Sequence, residues 1–199
     1  IGLASSRDGQ SWQYRQIVLD EAFHLSFPYV FQFQNDFYML PEAGDSGTVT
    51  LFRAKSFPEQ WERVAVLLDQ PFADSVIMRH EDRWWLFTCA TPRQHDSLEI
   101  FHATRPEGPW EPHVQNPVID GDGTKARMAG PIIQLDGKLV RFGQRSNPTY
   151  GQEVRAFEIV RLTPREYEER EIDASPLLKP GSSHWNRHGM HHFDPHLDG

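Results

Sequence analysis

The sequence reads Ser56-Phe57-Pro58-Glu59-Gln60-Trp61 near the end of its first third, a turn-like phrase that closes with a tryptophan. Trp12 closes a similar phrase 49 residues earlier, and Trp110 closes another 49 residues later. A short segment of alternating apolar and polar residues precedes each phrase. A repeat of this length is typical of β-propellers, in which each repeat forms one four-stranded blade.

Hairpin signals fill the remainder of each repeat. The strongest is Asp136-Gly137, because Asp-Gly favours the tight turn between two antiparallel strands. Sustained helical periodicity is absent. The sequence therefore predicts an all-β fold, namely a five-bladed β-propeller that is incomplete at both ends.

The 199 residues form a single propeller domain in this prediction. Residues 1–22 end a first blade, and residues 181–199 start the last one. The complete blades span residues 23–70, 71–120 and 121–180. The two partial blades could combine to close a four-bladed ring, but we predict a piece of a five-bladed ring whose first blade begins upstream of Ile1.

The composition limits the classes of partner. With 20 Lys and Arg against 28 Asp and Glu the formal charge is −8, which argues against nucleic acid and is compatible with neutral sugars. The single cysteine, Cys89, excludes an intrachain disulfide, and no apolar run approaches the roughly 20 residues of a membrane helix. These features and the lack of a visible signal peptide favour the cytoplasm, but the chain starts at Ile1 without Met, so the localisation stays open.

Polar residues recur at the strand ends that meet on one face of a propeller. In each blade the start of the first strand and the end of the second lie at the mouth of the central channel, where a site is expected. Asp74 is assigned the same place in its repeat as Ser26 and Arg127. The candidates at this mouth are His24, Ser26, Glu42, Asp74, Arg127, Gln144, His191 and Asp194, with Trp85 as an aromatic platform for a sugar ring.

Two of these candidates admit alternatives. Asp74 could hydrogen-bond the backbone of the channel or act directly in a site. Arg127 stands among small residues and needs an anionic partner. That partner is either Asp74 or Glu42 within the chain, or a carboxylate or phosphate of the substrate.

The adjacent histidines His191 and His192, with Asp194, suggest a metal site, since imidazole and carboxylate bind zinc or iron. Neighbouring residues on a strand point to opposite faces, so the two histidines would not enter one site. We therefore predict no metal centre and no cofactor, with a structural cation on the propeller axis as the alternative. Phosphate-binding and dinucleotide-binding loops are also absent.

Several phrases resemble known families. Residues 26–31, 74–77 and 129–133 resemble successive first strands of five-bladed propeller glycoside hydrolases of the arabinanase and β-xylosidase clan. Across nearly its whole length the chain more closely resembles the N-terminal domain of glucosamine inositolphosphorylceramide transferases and their bacterial relatives. The phrases that carry this closer resemblance are residues 23–31, 38–42, 84–87, 108–110, 137–144, 150–151 and 189–194.

The resemblance implies the chemistry of the hydrolase clan, but this sequence departs from the clan's pattern of catalytic residues. Enzymes of the hydrolase clan invert configuration with an Asp base, a second Asp that tunes the acid, and a Glu acid. Asp74 matches the tuning Asp, the base would lie upstream of Ile1, and Ala129 stands where the Glu acid is expected. Glu42 is the replacement acid on the predicted face, with His24 or His191 as the alternative.

The resemblance therefore implies a carbohydrate-active domain that hydrolyses or transfers a glycosyl unit of a sugar or sugar conjugate in the axial pocket. Asp74 and Glu42 are the predicted catalytic residues, and the other candidates are predicted to bind substrate. The alternative is a non-catalytic glycan-binding or scaffolding module attached to a transferase, which Ala129 favours. A fused or associated transferase module is the expected protein partner.

Overall fold

The computed structural model describes residues 1–195. Strands form nearly all of the regular structure, and the described part has one short 3₁₀ helix, Gly44–Ser46, and no α-helix. The chain divides into two compact units, Ile1–Pro71 and a second unit that begins at Phe72. Within the described residues, no helix has the length and apolar character needed to cross a membrane. The predicted all-β class is confirmed.

The first unit contains two antiparallel sheets. In the smaller one β1 (Gly2–Ser6) pairs with β2 (Trp12–Ile17). In the larger one each strand pairs with the next along the chain. Its strands are β3 (Ser26–Phe33), β4 (Asp36–Glu42), β5 (Val49–Ser56) and β6 (Gln60–Leu68). A small core of Leu19, Met39 and Phe52 packs beneath these strands.

The second unit contains two larger sheets. Four strands pair in chain order: β7 (Ala73–His80), β8 (Arg83–Cys89), β9 (Leu98–Ala103) and β10 (Glu111–Pro112). The other sheet holds β11 (Arg127–Met128), β12 (Ile133–Leu135), β13 (Lys138–Arg145), β14 (Glu153–Leu162) and β15 (Tyr167–Glu171). Both β11 and β12 pair with β13. Every residue of β8 from Trp84 to Cys89 is buried, which is consistent with the nearly continuous apolar sequence of this strand.

The tryptophan repeat corresponds to a repeated strand pair. Trp12 is the first residue of β2, Trp61 is the second residue of β6, and Trp110 directly precedes β10. Each of these strands pairs with the strand before it. The indole nitrogens of Trp12 and Trp61 donate to the backbone oxygen three residues earlier, at 3.2 and 3.0 Å. The 49-residue spacing therefore marks a recurring antiparallel strand pair.

The hairpin signal at Asp136-Gly137 is also confirmed. These two residues join β12 to β13, and Leu135 pairs directly with Lys138. Their φ angles are +49° and +77°, the positive values that a two-residue type I′ turn requires.

A β-bulge at the start of β7 corrects one prediction. Ala73 pairs with Cys89 and Val76 with Phe87, so two residues of β7 oppose the single residue between them on β8. Asp74 occupies the bulge with a φ of +49°. The sheet of the first unit has a bulge of the same kind, since Ser26 pairs with Glu42 and Tyr29 with Leu40. Ser26 therefore corresponds to Ala73, and Phe27, with a φ of +45°, corresponds to Asp74. Arg127 pairs with Gln144 in a regular stretch without a bulge, so the predicted equivalence of Asp74 with Ser26 and Arg127 is wrong.

A buried ion pair supports the segment that leads to β11. The Arg141 side chain is fully buried, and its Nε and Nη2 donate to the two carboxylate oxygens of Glu169 at 2.7 and 2.8 Å. Its Nη1 donates to the backbone oxygen of Lys125 at 2.9 Å, and the Tyr167 hydroxyl donates to Glu169 at 2.6 Å. This network holds Lys125 two residues before Arg127.

The last part of the described chain forms no strand between residues 188 and 195. It is nevertheless anchored, because the Phe193 amide donates to the backbone oxygen of Ala129 at 2.7 Å. Gly130 is required beside this contact, since a Cβ there would overlap with the Phe193 backbone oxygen. Residues 196–199, which belong to the predicted last blade, lie outside the described residues.

Candidate functional site

Three polar side chains from different strands converge in the second unit. Arg127 Nε donates to Asp74 Oδ2 at 2.6 Å, and Gln144 Nε2 donates to the same oxygen at 2.9 Å. Gln144 Nε2 also donates to the Met128 backbone oxygen at 2.7 Å. Only 4% of the Asp74 side chain and 11% of the Arg127 side chain are exposed. We call Asp74, Arg127 and Gln144 the polar cluster.

Local structure explains why these groups meet. The bulge turns Asp74 away from the regular alternation of β7. Arg127 and Gln144 are direct partners across β11 and β13, so their side chains leave the sheet on the same face. The carboxylate therefore receives a guanidinium and an amide that one strand pair presents together.

Arg127 has further contacts on its other side. Its Nη1 donates to the Pro92 backbone oxygen at 3.1 Å and lies 2.8 Å from Nδ1 of His95. Burial opposes the charged guanidinium, but the charge and the hydrogen bond of Asp74 outweigh burial and raise the pKa of Arg127. Arg127 therefore stays charged, and Asp74 is the anionic partner that the sequence left undecided.

Aromatic and imidazole rings lie next to the guanidinium. The Tyr150 ring centre is 5.3 Å from Arg127 Cζ, which is cation–π distance. The same ring lies 5.0 Å from the His95 ring and 5.2 Å from the His191 ring. Tyr150 is 48% exposed, so it presents part of an aromatic ring to solvent beside the buried polar cluster. We call His95, Tyr150 and His191 the ring tier.

Some hydrogen-bonding groups of the polar cluster have no partner in the described part of the chain. Gln144 Oε1 is buried and accepts no hydrogen bond from residues 1–195. Within the same residues, the side-chain hydrogen bonds to Asp74 end on Oδ2 and those from Arg127 start at Nε and Nη1, so Asp74 Oδ1 and Arg127 Nη2 have none. The two N–H groups of Nη2 and two acceptor oxygens thus remain for water or a ligand, and a buried amide oxygen left unpaired is costly.

Smaller polar groups lie on the neighbouring strand pair. The hydroxyls of Ser75 and Thr88 are 2.7 Å apart, and Thr88 Oγ1 also donates to the Ala73 backbone oxygen at 3.3 Å. The Cys89 thiol is fully buried, and burial raises its pKa despite the opposing effects of a Thr91 hydrogen bond and of Arg127. A buried thiol with a raised pKa is a weak nucleophile, so we assign Cys89 no chemistry.

Within the second unit, the structure brings several of the predicted residues together. Asp74, Arg127 and Gln144 form the polar cluster, and His191 reaches it through Tyr150. Asp194 is exposed in the segment that follows.

Two predicted residues of the first unit contact each other. Ser26 Oγ donates to Glu42 Oε2 at 2.8 Å, and the Gly44 amide donates to Glu42 Oε1 at 3.0 Å. His24 is exposed. Both Glu42 oxygens therefore already accept hydrogen bonds inside their own unit.

The structure buries Trp85, the residue predicted to be an aromatic platform for a sugar ring. Its side chain is buried, with 2% of the residue exposed, and its ring packs edge-on against His102 at 5.6 Å. Trp85 lies in the middle of β8, a strand buried along almost its whole length, so neither ring face is available to a ligand.

The sequence analysis missed His95 and Tyr150. Both lie in loops, the first between β8 and β9 and the second between β13 and β14. The only available signal was the phrase Tyr150-Gly151. Gly151 has a φ of +64°, and a Cβ there would lie 2.8 Å from His191 Cγ and Nδ1, so the glycine allows the Tyr150 loop to lie close to the segment that carries His191.

Metal ligation has little support from this arrangement. Among residues 1–195, no group of three or more His, Cys, Asp or Glu side chains is placed to hold a metal ion. His191 and Asp194 therefore do not form a metal site with a third such ligand in the described part of the chain.

The architecture resembles that of solved proteins of the propeller fold. The chain resembles glycoside hydrolases of the propeller fold, including a thermostable family-43 glycoside hydrolase with a TM-score of 0.65 and 15% identity. That match covers 92% of this chain and 70% of the other. The α-L-arabinanase of Cellvibrio cellulosa, solved with arabinohexaose, matches with a TM-score of 0.58 and 15% identity over 85% of this chain and 68% of its own. At such identities the likeness establishes the propeller-type fold alone.

The family follows from sequence comparison. The family model described as "Glucosamine inositolphosphorylceramide transferase 1, N-terminal" matches residues 1–197, and the chain belongs to this family. Glucosamine inositolphosphorylceramide transferase 1 of Oryza sativa subsp. japonica is 38% identical over 98% of this chain, and that of Arabidopsis thaliana is 39% identical over 98%. The chain spans 27% and 26% of these relatives' lengths. The resemblance stated from the sequence is confirmed.

Proposed function

We propose that this domain binds a sugar or a sugar conjugate at the polar cluster and the ring tier. The observation that carries the proposal is the set of unpaired groups beside an exposed aromatic ring: Asp74 Oδ1, Arg127 Nη2 and Gln144 Oε1, next to Tyr150. Sugar hydroxyls both donate and accept hydrogen bonds, so they complement the N–H groups of Nη2 and the two unpaired acceptor oxygens. An aromatic face supports the apolar side of a sugar ring.

The charge balance favours a neutral part of the ligand at this point. Asp74 already neutralises Arg127 at 2.6 Å, so the pair offers no excess positive charge to a phosphate or carboxylate. Neutral hydroxyl groups fit the remaining donors and acceptors without leaving a buried charge unpaired.

The comparisons support the ligand class. The relatives' name refers to glucosamine and inositolphosphorylceramide, and the structural neighbours include enzymes solved with oligosaccharides. Because the chain covers only about a quarter of those relatives, we propose a supporting role: the domain holds a sugar-bearing substrate for a transferase module of the longer protein.

The sheets also support the finer fold proposal. The hairpin β1–β2 corresponds to the pairs β5–β6 and β9–β10, which end the two following four-stranded sheets. We propose that these sheets are blades of a five-bladed propeller that this chain contains in part, with the blade boundaries predicted from the repeat.

Glycoside hydrolysis or glycosyl transfer by the domain itself is the second candidate. The unpaired Oδ1 of Asp74 favours it, since this oxygen could contact a reacting group. Two observations weigh against it. Oδ2 of Asp74 is already committed to Arg127 and Gln144, and Ala129 lies in a hydrophobic core with Val140 and Phe142.

A binding experiment tests the proposal. Calorimetric and ligand-observed NMR titrations would use D-glucosamine, N-acetyl-D-glucosamine, D-galactose, L-arabinose and myo-inositol. Gln144→Met removes the amide while keeping a long flexible side chain, and should abolish binding. Lys138→Ala, at the opposite end of the same strand, is the control and should bind like the wild type.

The outcomes separate the two candidates. Binding without release of reducing sugar from matching oligosaccharides supports the binding module. Release that is lost in Asp74→Asn supports catalysis. Failure of the wild type to bind any of these sugars, or equal binding by Gln144→Met, would overturn the proposed function.

A further inference from the structure

His95 lies in a loop whose shape is set by internal hydrogen bonds. Thr91 Oγ1 donates to Asp96 Oδ1 at 2.7 Å and accepts from the Asp96 and Ser97 amides at 3.2 and 3.0 Å. The His95 amide donates to the Thr91 backbone oxygen at 2.7 Å. This loop holds His95 at a φ of +62°, an uncommon conformation for a residue other than glycine.

The contact with Arg127 fixes the protonation of the imidazole. Arg127 Nη1 lies 2.8 Å from His95 Nδ1. A guanidinium has only donors, so Nδ1 must be the acceptor and carries no proton. The ring is therefore neutral with its proton on Nε2. Nε2 makes no hydrogen bond to any of residues 1–195, so one oriented N–H donor remains in the ring tier.

We propose that His95 is a ligand-binding residue of this site, which Arg127 holds in the Nε2–H tautomer so that Nε2 donates to an oxygen of the bound sugar. This inference rests on the proposed function and adds a residue to it. Asp74 accepts a hydrogen bond from Arg127 Nε and so orients the guanidinium. Nη1 of the same guanidinium then donates to His95 Nδ1 and orients the imidazole.

The arrangement has a defined pH dependence. Burial, followed by the positive charge of Arg127, lowers the pKa of His95 below its usual 6.5, and the nearby carboxylates of Asp74 and Asp96 oppose this only in part. The Tyr150 ring packs against another side of the imidazole. Protonation would put a proton on Nδ1 facing Arg127, so the contact is intact above the pKa of His95 and lost below it.

The first test needs no ligand. In ¹⁵N-labelled protein at pH 7.5, long-range ¹H–¹⁵N NMR distinguishes the two imidazole tautomers, and the missing signals of His95→Asn assign those of His95. We expect Nδ1 without a proton and Nε2 with one. A proton on Nδ1, or a charged ring at this pH, would overturn the inference.

The second test uses N-acetyl-D-glucosamine, a neutral probe whose own charge does not change with pH. His95→Asn keeps an acceptor near the Nδ1 position and removes the Nε2 donor, whereas His95→Gln places an amide nitrogen near the Nε2 position. We expect His95→Asn to weaken binding about threefold to tenfold, the effect of one hydrogen bond, and His95→Gln to recover part of it. Wild-type affinity should fall below the pKa of His95, and this fall should vanish in both variants.

The two proposals fail separately. If the wild type binds the probe and His95→Asn binds it equally well with the same pH profile, His95 has no ligand role but the sugar site stands. If the wild type binds none of the sugars, the proposed function fails and the ligand role of His95 fails with it. In that case the tautomer measurement still decides whether Arg127 orients the ring.

Discussion

Arg127 Nε lies 2.6 Å from Asp74 Oδ2, although the two residues are 53 positions apart in the chain. The pair is almost completely buried, and Gln144 donates to the same carboxylate oxygen. A buried ion pair of this kind is stable only while both charges are present, because desolvation of a single charge is expensive. The pair therefore ties the integrity of β7 and β11 to the geometry of the candidate site.

Asp74→Ala should strongly destabilise the protein. The substitution leaves the Arg127 guanidinium buried without its counter-charge, and we expect the free energy of unfolding to fall by about 3–5 kcal/mol. Urea denaturation followed by tryptophan fluorescence measures this change. Lys138→Ala is the matched control, since its ion pair with Glu158 is largely exposed on the lysine side.

The double substitution Asp74→Ala with Arg127→Met sharpens this test. Because it removes both charges, it should be less destabilising than the sum of the two single substitutions. A single Asp74→Ala variant as stable as the control would contradict the description of the pair as structurally coupled.

Glu169→Gln should lower the free energy of unfolding at neutral pH, and the loss should be smaller at acidic pH. Burial raises the pKa of Glu169, but the charge and hydrogen bonds of Arg141, with the Tyr167 hydroxyl, outweigh burial and lower it. A carboxyl group whose pKa is lower in the folded protein stabilises the fold at pH values above its unfolded-state pKa of about 4.3. This contribution is lost as the pH falls through the folded-state pKa. The difference in unfolding free energy between wild type and Glu169→Gln, measured from pH 7 to pH 3, should therefore shrink. A constant difference would contradict the prediction.

Cys89 should resist alkylation in the folded protein. Its thiol is fully buried and burial raises its pKa, so the thiolate is scarce at pH 8. Iodoacetamide should modify it at least about a hundredfold more slowly than in urea, which mass spectrometry can follow. Because the folded pKa is raised, this thiol stabilises the fold below its unfolded pKa, and the contribution is lost as the pH rises through the folded value. Rapid labelling of the native protein at pH 8 would show that this part of β8 is accessible.

Tyr150→Ala should affect binding more than stability. The ring is half exposed but lies against Arg127, His95 and His191, so its loss removes the surface on which a sugar ring would rest. We expect the loss of N-acetyl-D-glucosamine binding, with a fall of no more than about 1 kcal/mol in unfolding free energy. Tyr150→Phe retains the ring and should bind nearly as well. If Tyr150→Ala binds like the wild type, the ring tier is not part of the binding surface.

Much of the fold was predictable because its signals are local. The 49-residue spacing of Trp12, Trp61 and Trp110 marks a recurring strand pair, and Asp136-Gly137 has the conformational preference its turn needs. The register beside the turns follows from these signals, since Leu135 pairs with Lys138, whereas the strand-end pairs, Ser26 with Glu42 and Arg127 with Gln144, are shifted from it. Alternation, turn chemistry and period all act within a few tens of residues.

The sequence by itself thus determined the all-β repeat architecture, the family, and the identity of Asp74, Arg127 and Gln144 as unusual polar residues. Only the tertiary structure decided that Asp74 is the partner of Arg127, since a bulge of one residue changes the direction of a side chain without a clear sequence signal. It alone placed His95 and Tyr150 beside them and buried Trp85. Loop positions and burial depend on how distant strands pack, and no local pattern of residues encodes that packing.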